Sequence, residues 1–325
     1  MIRCPRRLRW FIPALALPAG IVIADDAAWR ADFAKVETIG KRDPETPEAL
    51  AAARGELRAA AAAFVLKYGE DAEGERLYAV GLARGYSGDH AGGVKALRLY
   101  LETVPEGERR KEAFLALLAL LEGLERPEEG LEAIESFAEG FKGNAEVEEI
   151  VADQLRSFGS DVKRKSLIGQ AAPGLEILEV LGDGVKSIEA LKGRVVLLDF
   201  FATWCLPCRQ TIPWLAGMRE KRGEAGLTVL GVTEYYGYGW LDGETRENLS
   251  KTQELDLHRK FRESMKINYP VILTADKEGG EKYGVLGIPG LFLIDRKGVV
   301  RKVEVGAGDH GELEKVIGEL LAEKD

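Results

Sequence analysis

The spacing of apolar positions divides the chain into two textures. From about residue 25 to 159 apolar residues recur at helical spacing, and strand signals are absent. Alanine-rich stretches such as 50–63 add strong intrinsic helix propensity. Beyond residue 167 short apolar runs alternate with amphipathic segments. The runs at 195–200, 227–233, 270–274, 291–295 and 299–305 read as strands, and helical patterns cover 207–222, 245–265 and 311–324. Strands alternating with helices predict an α/β domain, a mixed sheet covered on both faces. Arg296-Lys297-Gly298 joins the last two runs as a hairpin, making that edge antiparallel.

Two helical segments share a pattern of Gly, aliphatic, any residue, Ala, aliphatic, two of any kind and an aromatic. They are GVKALRLY from Gly93 to Tyr100 and GLEAIESF from Gly130 to Phe137. Each follows another amphipathic helix, at 75–85 and 112–124. Helix pairs recurring at roughly 34 to 40 residues resemble a tetratricopeptide-like solenoid, with a plain helical bundle as the alternative. The functional expectation is a groove for a peptide or protein partner; a spacer or dimerisation module is the other reading. The polar, Gly-flanked stretch FGSDVKRKSLIG predicts a linker over 160–166, dividing a helical domain (25–159) from an α/β domain (167–325).

Composition narrows the function classes. Lys and Arg total 45 against 54 Asp and Glu, giving a net charge of -9. Contacts to a phosphate backbone need clustered positive charge, so a nucleic-acid partner is not expected. The first 24 residues differ: Arg3, Arg6, Arg7 and Arg9 precede an apolar core that ends at Val22-Ile23-Ala24. This resembles a secretory signal peptide and predicts export, to a periplasmic or other extracytoplasmic location. Removal of such a segment would take Cys4 with it, leaving Cys205 and Cys208 of the three cysteines in a setting where disulfides persist.

That pair carries the chemistry. The apolar run 195–200 leads through Phe201 into Trp204-Cys205-Leu206-Pro207-Cys208, so Cys205 sits between a buried strand and a helix start. Unpaired N–H groups and the helix dipole there favour a thiolate, the reactive form of cysteine. Cys208 is one turn further in, better shielded and close enough to close a disulfide. The expected roles are attack by Cys205 and resolution by Cys208. The pair could also bind metal or form a static staple. A structural zinc site needs four ligands, and His90, His258 and His310 are scattered; no metal or cofactor is expected. A two-residue loop contributes little as a staple and favours exchange.

WCLPC after an apolar strand resembles the active site of the thioredoxin superfamily. Four other features of residues 167–325 match the exported TlpA/ResA-like branch. They are Ile168 to Pro173 (a leading segment shared with peroxiredoxins), Leu191-Lys192-Gly193-Arg194 before the strand, Pro213 in the active-site helix, and Gly287-Ile288-Pro289 at the position of a cis-proline loop. The resemblance implies a thioredoxin-like fold and thiol–disulfide oxidoreductase activity. No peroxiredoxin-type cysteine context occurs, and a copper chaperone of this fold would want a wider Cys spacing and a well-placed His. The resemblance also implies a cis Pro289, with the Ile288 backbone free to pair with an extended substrate. Trp204 and Pro207 would shape the docking surface.

Asp199 interrupts an otherwise apolar strand six positions before Cys205, where the resemblance implies a buried acid that accepts a proton from Cys208. With no His between the cysteines to stabilise a thiolate further, the expected direction is reductive. The implied partners are disulfide-bearing substrate proteins and a membrane electron donor. The alternative function is a helical-repeat binding or scaffold protein in which the pair is only a redox switch. The loop Glu234-Tyr235-Tyr236-Gly237-Tyr238-Gly239-Trp240 departs from the family. It predicts either a substrate contact or a lid on its own helix.

Overall fold

The computed structural model describes residues 24–182 and 184–323. The signal-like start, Cys4 included, lies outside these residues except for Ala24. The chain divides into two compact units that meet in sequence at Phe158/Gly159.

The first unit is all-helical: α1 (Ala24–Gly40), α2 (Pro47–Tyr68), α3 (Glu75–Ser87), α4 (His90–Thr103), α5 (Arg110–Gly123), α6 (Pro127–Phe137) and the first half of α7 (Ala145–Leu167). From α1 to α6 each helix packs on the next in sequence, and α3 also touches α5. Tyr100, Phe114 and Phe158 are buried at the centre of one apolar core. The Tyr100 hydroxyl donates to the Glu75 carboxylate at 3.0 Å and accepts from the Arg109 backbone N–H at 3.1 Å, tying the start of α3 to α4 and the approach to α5.

The recurrent glycines have a packing reason. A Cβ on Gly93 would lie 3.0 Å from the Gly81 carbonyl oxygen, 3.2 Å from the Gly85 nitrogen and 2.9 Å from Leu120. Only a glycine lets the backbones of α3 and α4 approach this closely. A Cβ on Gly130 would lie 2.4 Å from the Phe158 ring. Although alanine is the better helix former, Gly93→Ala is expected to destabilise the first unit by about 1–3 kcal/mol, because backbone atoms cannot rotate out of the way. Urea unfolding followed by far-ultraviolet circular dichroism checks this; an unchanged or raised midpoint would show that the helices can separate at little cost.

The expected linker at 160–166 is instead the last two turns of α7. No proline interrupts the helical pattern here, Asp161 and Arg164 form an i,i+3 ion pair, and Leu167 is buried in a core of the second unit. Polar composition marked a solvated helix face rather than a break.

The second unit is a mixed six-stranded sheet with flanking helices, the thioredoxin-like α/β fold expected. Its strands are β1 (Ile177–Leu181), β2 (Val195–Phe200), β3 (Leu227–Thr233), β6 (Val271–Thr274), β7 (Gly290–Ile294) and β8 (Val300–Val305), in the order β1-β6-β3-β2-β7-β8. A small separate hairpin holds β4 (Gly239–Leu241) and β5 (Glu244–Arg246). Strand β2 lies between parallel β3 and antiparallel β7, and all six of its residues are buried. Alternation assigns its side chains to two cores. Val195 and Leu197 join α8 (Leu206–Arg222), α9 (Lys251–Ser264) and α11 (Gly311–Ala322) on one face. Val196, Leu198 and Phe200 join Tyr283 of α10 (Glu278–Tyr283) on the other.

The β7–β8 hairpin is present, with Gly298 at φ 82° and the Asp295 carboxylate accepting from the Lys297 and Val299 N–H groups. The helix expected at 245–265 is shorter. It begins at Lys251, where Ser250 and Gln253 form a reciprocal capping box, and Thr245 and Arg246 belong instead to strand β5.

Candidate active site

Strand β2 ends at Phe200, and Phe201 to Trp204 turn the chain into α8. Cys205 is the N-cap of that helix, with φ -79° and ψ 106°, and its sulfur accepts the Cys208 backbone N–H at 3.1 Å. A side chain that caps a helix start receives the orphan N–H groups of the first turn, so negative charge on this sulfur is favoured once it is free. Cys208 is fully buried, and Cys205 is 4% exposed. The two form a disulfide with a Cα–Cα distance of 5.3 Å. Leu206 and Pro207 lie exposed on the first turn of α8, with Pro207 at its second position, where a missing N–H costs nothing. Pro213 lies inside the continuous helix.

The segment 287–289 comes from 83 residues further along the chain. The Ile288–Pro289 peptide is cis, Pro289 is buried, and Ile288 is half-buried. Register explains the meeting: Phe200 pairs with Gly290 across β2 and β7, so the turn before β7 faces the turn after β2. The Cys205 sulfur lies 3.6 Å from the Ile288 carbonyl oxygen. The Pro289 carbonyl in turn accepts from the Gly306 N–H at 2.8 Å, which steadies this rim from β8.

Asp199 is completely buried, and neither carboxylate oxygen has a hydrogen-bond partner among the described residues. Its side chain follows Val195 and Leu197 onto the face covered by α8, the face that holds Cys208. Opposite it on β3 is Gly231, where a Cβ would lie 3.5 Å from the Tyr269 ring. Burial pushes the Asp199 carboxyl up to about 7. Burial, and secondarily the charge of Asp199, hold the Tyr269 hydroxyl well above its ordinary range. A buried carboxyl that ionises near neutrality can, as the carboxylate, accept a proton and release it again at that pH.

Trp204 is half-buried against the aromatic loop, stacked on Tyr238 at 5.6 Å and edge-on to Tyr236 at 5.5 Å. Thr203, Arg209 and Glu254 complete the surroundings, and sequence reading did not single them out. The Thr203 hydroxyl accepts from the Trp240 N–H at 3.1 Å. The Arg209 guanidinium lies 3.7 Å over the Trp240 ring and donates to the Thr203 carbonyl at 3.1 Å. Glu234 accepts the Lys277 N–H at 2.8 Å, away from the cysteines in its bonding, and burial raises its pKa.

Disulfide exchange asks a fold for an exposable sulfur at a charge-stabilising position, a shielded second sulfur within reach, and backbone beside them for the partner chain to lie on. The second unit supplies each, and it is a thioredoxin-like thiol–disulfide oxidoreductase domain. Within it, residues 168–303 match the AhpC/TSA family model. The thioredoxin-like protein YneN of Bacillus subtilis is 28% identical over 149 residues, 45% of this chain and 76% of YneN. The thiol–disulfide oxidoreductase ResA of the same organism is 29% identical over 138 residues, 42% of this chain and 67% of ResA. Protein DipZ of Mycobacterium tuberculosis is 28% identical over 171 residues, which span 52% of this chain and 22% of DipZ. These likenesses lie in about half of the chain.

Proposed function

We propose that the whole protein is an extracytoplasmic thiol–disulfide oxidoreductase that reduces disulfides in other proteins. The observation that carries this is the Cys205–Cys208 disulfide capping α8, with the Cys205 sulfur 3.6 Å from the Ile288 carbonyl at a half-exposed rim. In the reduced protein the Cys205 thiolate attacks one sulfur of a substrate disulfide and expels the other as a thiolate. Cys208 then gives its proton to Asp199 and attacks the Cys205 sulfur, releasing the second substrate thiolate. The substrate gains two electrons, the protein is left as the disulfide, and a membrane electron donor returns the pair to dithiol. Ile288 presents backbone to the substrate, and Trp204, Pro207 and Pro289 shape the surface around it. The extracytoplasmic assignment is supported by the resemblance to exported TlpA/ResA-like members.

The reductive direction rests on Leu206 and Pro207 standing between the cysteines, neither of which stabilises a thiolate. The expected reduction potential of the pair in glutathione or dithiothreitol buffers is about -230 mV or lower, with Cys208→Ser as the control that cannot form the bond. A value above roughly -150 mV would make the protein a disulfide donor instead.

For the helical unit the proposed role is partner binding by a tetratricopeptide-like array. The succession of α3/α4 by α5/α6, with Gly93 and Gly130 at matching places in the shared sequence pattern and each closely packed on another helix, supports it. Sustained turnover of a disulfide substrate separates an oxidoreductase from a scaffold with a redox switch, which would undergo one redox event and change its partner affinity.

A further inference from the structure

The loop between β3 and α9 is anchored to the active-site turn at several points, and one buried acid holds its inner end. Glu254, the fourth residue of α9, is 1% exposed. One of its oxygens accepts the Tyr236 N–H and the other the Gly237 N–H, each at 2.9 Å. Gly237 adopts φ 74°, a conformation that favours glycine, and its carbonyl accepts the Leu249 N–H at 2.7 Å. The loop is therefore clamped from both sides at its tightest bend.

Burying a carboxylate is unfavourable, and burial raises the pKa of Glu254. Its compensation is the two loop N–H groups together with the positive end of α9. His258, one turn on, is 4.0 Å from Glu254 and is held neutral by burial, its pKa lowered to about 4, so it adds no full counter-charge. The buried acid is thus satisfied chiefly by fixing Tyr236 and Gly237. Those residues and Tyr238 form a wall against Trp204, the residue before Cys205. The rings of Tyr235, Tyr236, Tyr238, Trp240 and Trp204 are all only partly buried, so the wall presents aromatic surface to solvent beside the disulfide.

We propose that Glu254 is a positioning residue for disulfide exchange: by holding the Tyr236 and Gly237 amides it keeps the aromatic wall against Trp204 and so sets the surface on which a polypeptide substrate lies beside Cys205. This rests on the oxidoreductase reading above. A small disulfide needs only the sulfur and gains little from the wall. A polypeptide disulfide covers both.

The test compares full-length wild type, Glu254→Gln and Glu254→Asp in dithiothreitol-driven reduction of insulin, a polypeptide disulfide, and of dithiobis(nitrobenzoate), a small one. Glutamine keeps one acceptor but turns a donor toward the second amide; aspartate keeps the charge but is too short to reach both. For each variant the KM for insulin is expected to rise about tenfold with kcat held within about twofold, while kinetics with the small disulfide change less than about twofold. Amide exchange at Tyr236 and Gly237 is expected to accelerate in both. An insulin KM unchanged in both variants overturns the proposal, and so do equal losses on both substrates, which would mark a general structural role. Wild-type kinetics for Glu254→Asp alone would show that charge, not reach, matters, and would also overturn it. Should the glutamine variant fail to fold, the aspartate variant carries the same test. If wild type reduces neither disulfide, the oxidoreductase reading itself fails and takes this proposal with it, an outcome separate from the others.

Discussion

Cys208→Ser is expected to turn the protein into a trap: Cys205 still attacks a substrate disulfide, and the mixed disulfide then persists. Cys205→Ser should abolish both attack and trapping. The asymmetry follows from the placement of the two sulfurs. Cys205 caps α8, receives the Cys208 N–H at 3.1 Å and lies against the open rim formed by Ile288. Cys208 is fully buried one turn inside and can meet only a sulfur already attached to Cys205. Turnover of insulin should fall more than about a thousandfold in either variant, since the two cysteines act as a unit. Non-reducing gels and intact mass after incubation with an oxidised peptide tell them apart. A stable adduct is expected with Cys208→Ser, none with Cys205→Ser. Adducts of equal yield from both would show that Cys208 is reachable and that the proposed roles are wrong.

Replacing Asp199 with asparagine should have two separable effects. The first is kinetic. Without the carboxylate, resolution of a preformed mixed disulfide is expected to slow about a hundredfold, with the rate of first attack nearly intact. In the wild type the resolution rate should rise with pH through about 7, as the buried carboxyl ionises and can accept the Cys208 proton. Rapid-quench measurement of resolution across roughly pH 5.5–8.5 checks this; equal rates for mutant and wild type would remove Asp199 from the mechanism.

The second effect is on stability, and its sign is fixed by linkage. The folded-state value, about 7, lies above the ordinary 3.8, and the cause is burial. Between those values the unfolded chain has lost the proton and the folded chain still holds it, so folding stability falls as pH rises. The contribution is fully present below about pH 4 and lost above about pH 7, reaching at most about 4 kcal/mol. The asparagine side chain does not titrate and makes no such contribution. The unfolding free energy of Asp199→Asn relative to wild type should therefore climb between about pH 4 and 8 and then level off. Taking the difference between the two proteins cancels the opposite trend of His258, whose pKa is lowered to about 4. A difference that does not vary with pH would mean the carboxyl reaches solvent or a partner.

Much of this fold is legible along the chain because its elements are set by near neighbours. The strands at 195–200 and 227–233 match the apolar runs residue for residue, since both lie in the sheet interior and are largely apolar. The capped α8 follows from an apolar strand running into Trp204-Cys205-Leu206-Pro207-Cys208. Where an element is half-exposed the signal weakens. β1 is an edge strand with only Leu181 buried, and its pattern did not separate it from loop. All three residues of β5 are exposed, and the helix expected at 245–265 takes in two of them, Thr245 and Arg246. At 160–166 a charged, solvated helix face reads as a linker, because charge marks exposure and says nothing about continuity.

Periodicity, propensity and capping are local properties, so the buried strands, the main helices and the placement of two cysteines at a helix start can be read along the chain. Packing across the fold is what seals Asp199 with no hydrogen-bond partner among the described residues, brings the Ile288 carbonyl to the Cys205 sulfur, and sets Glu254 to clamp the aromatic loop. Desolvation depends on every element packed around a group. A contact across 83 residues depends on strand order and register, which the β2–β7 pairing sets and no single segment encodes.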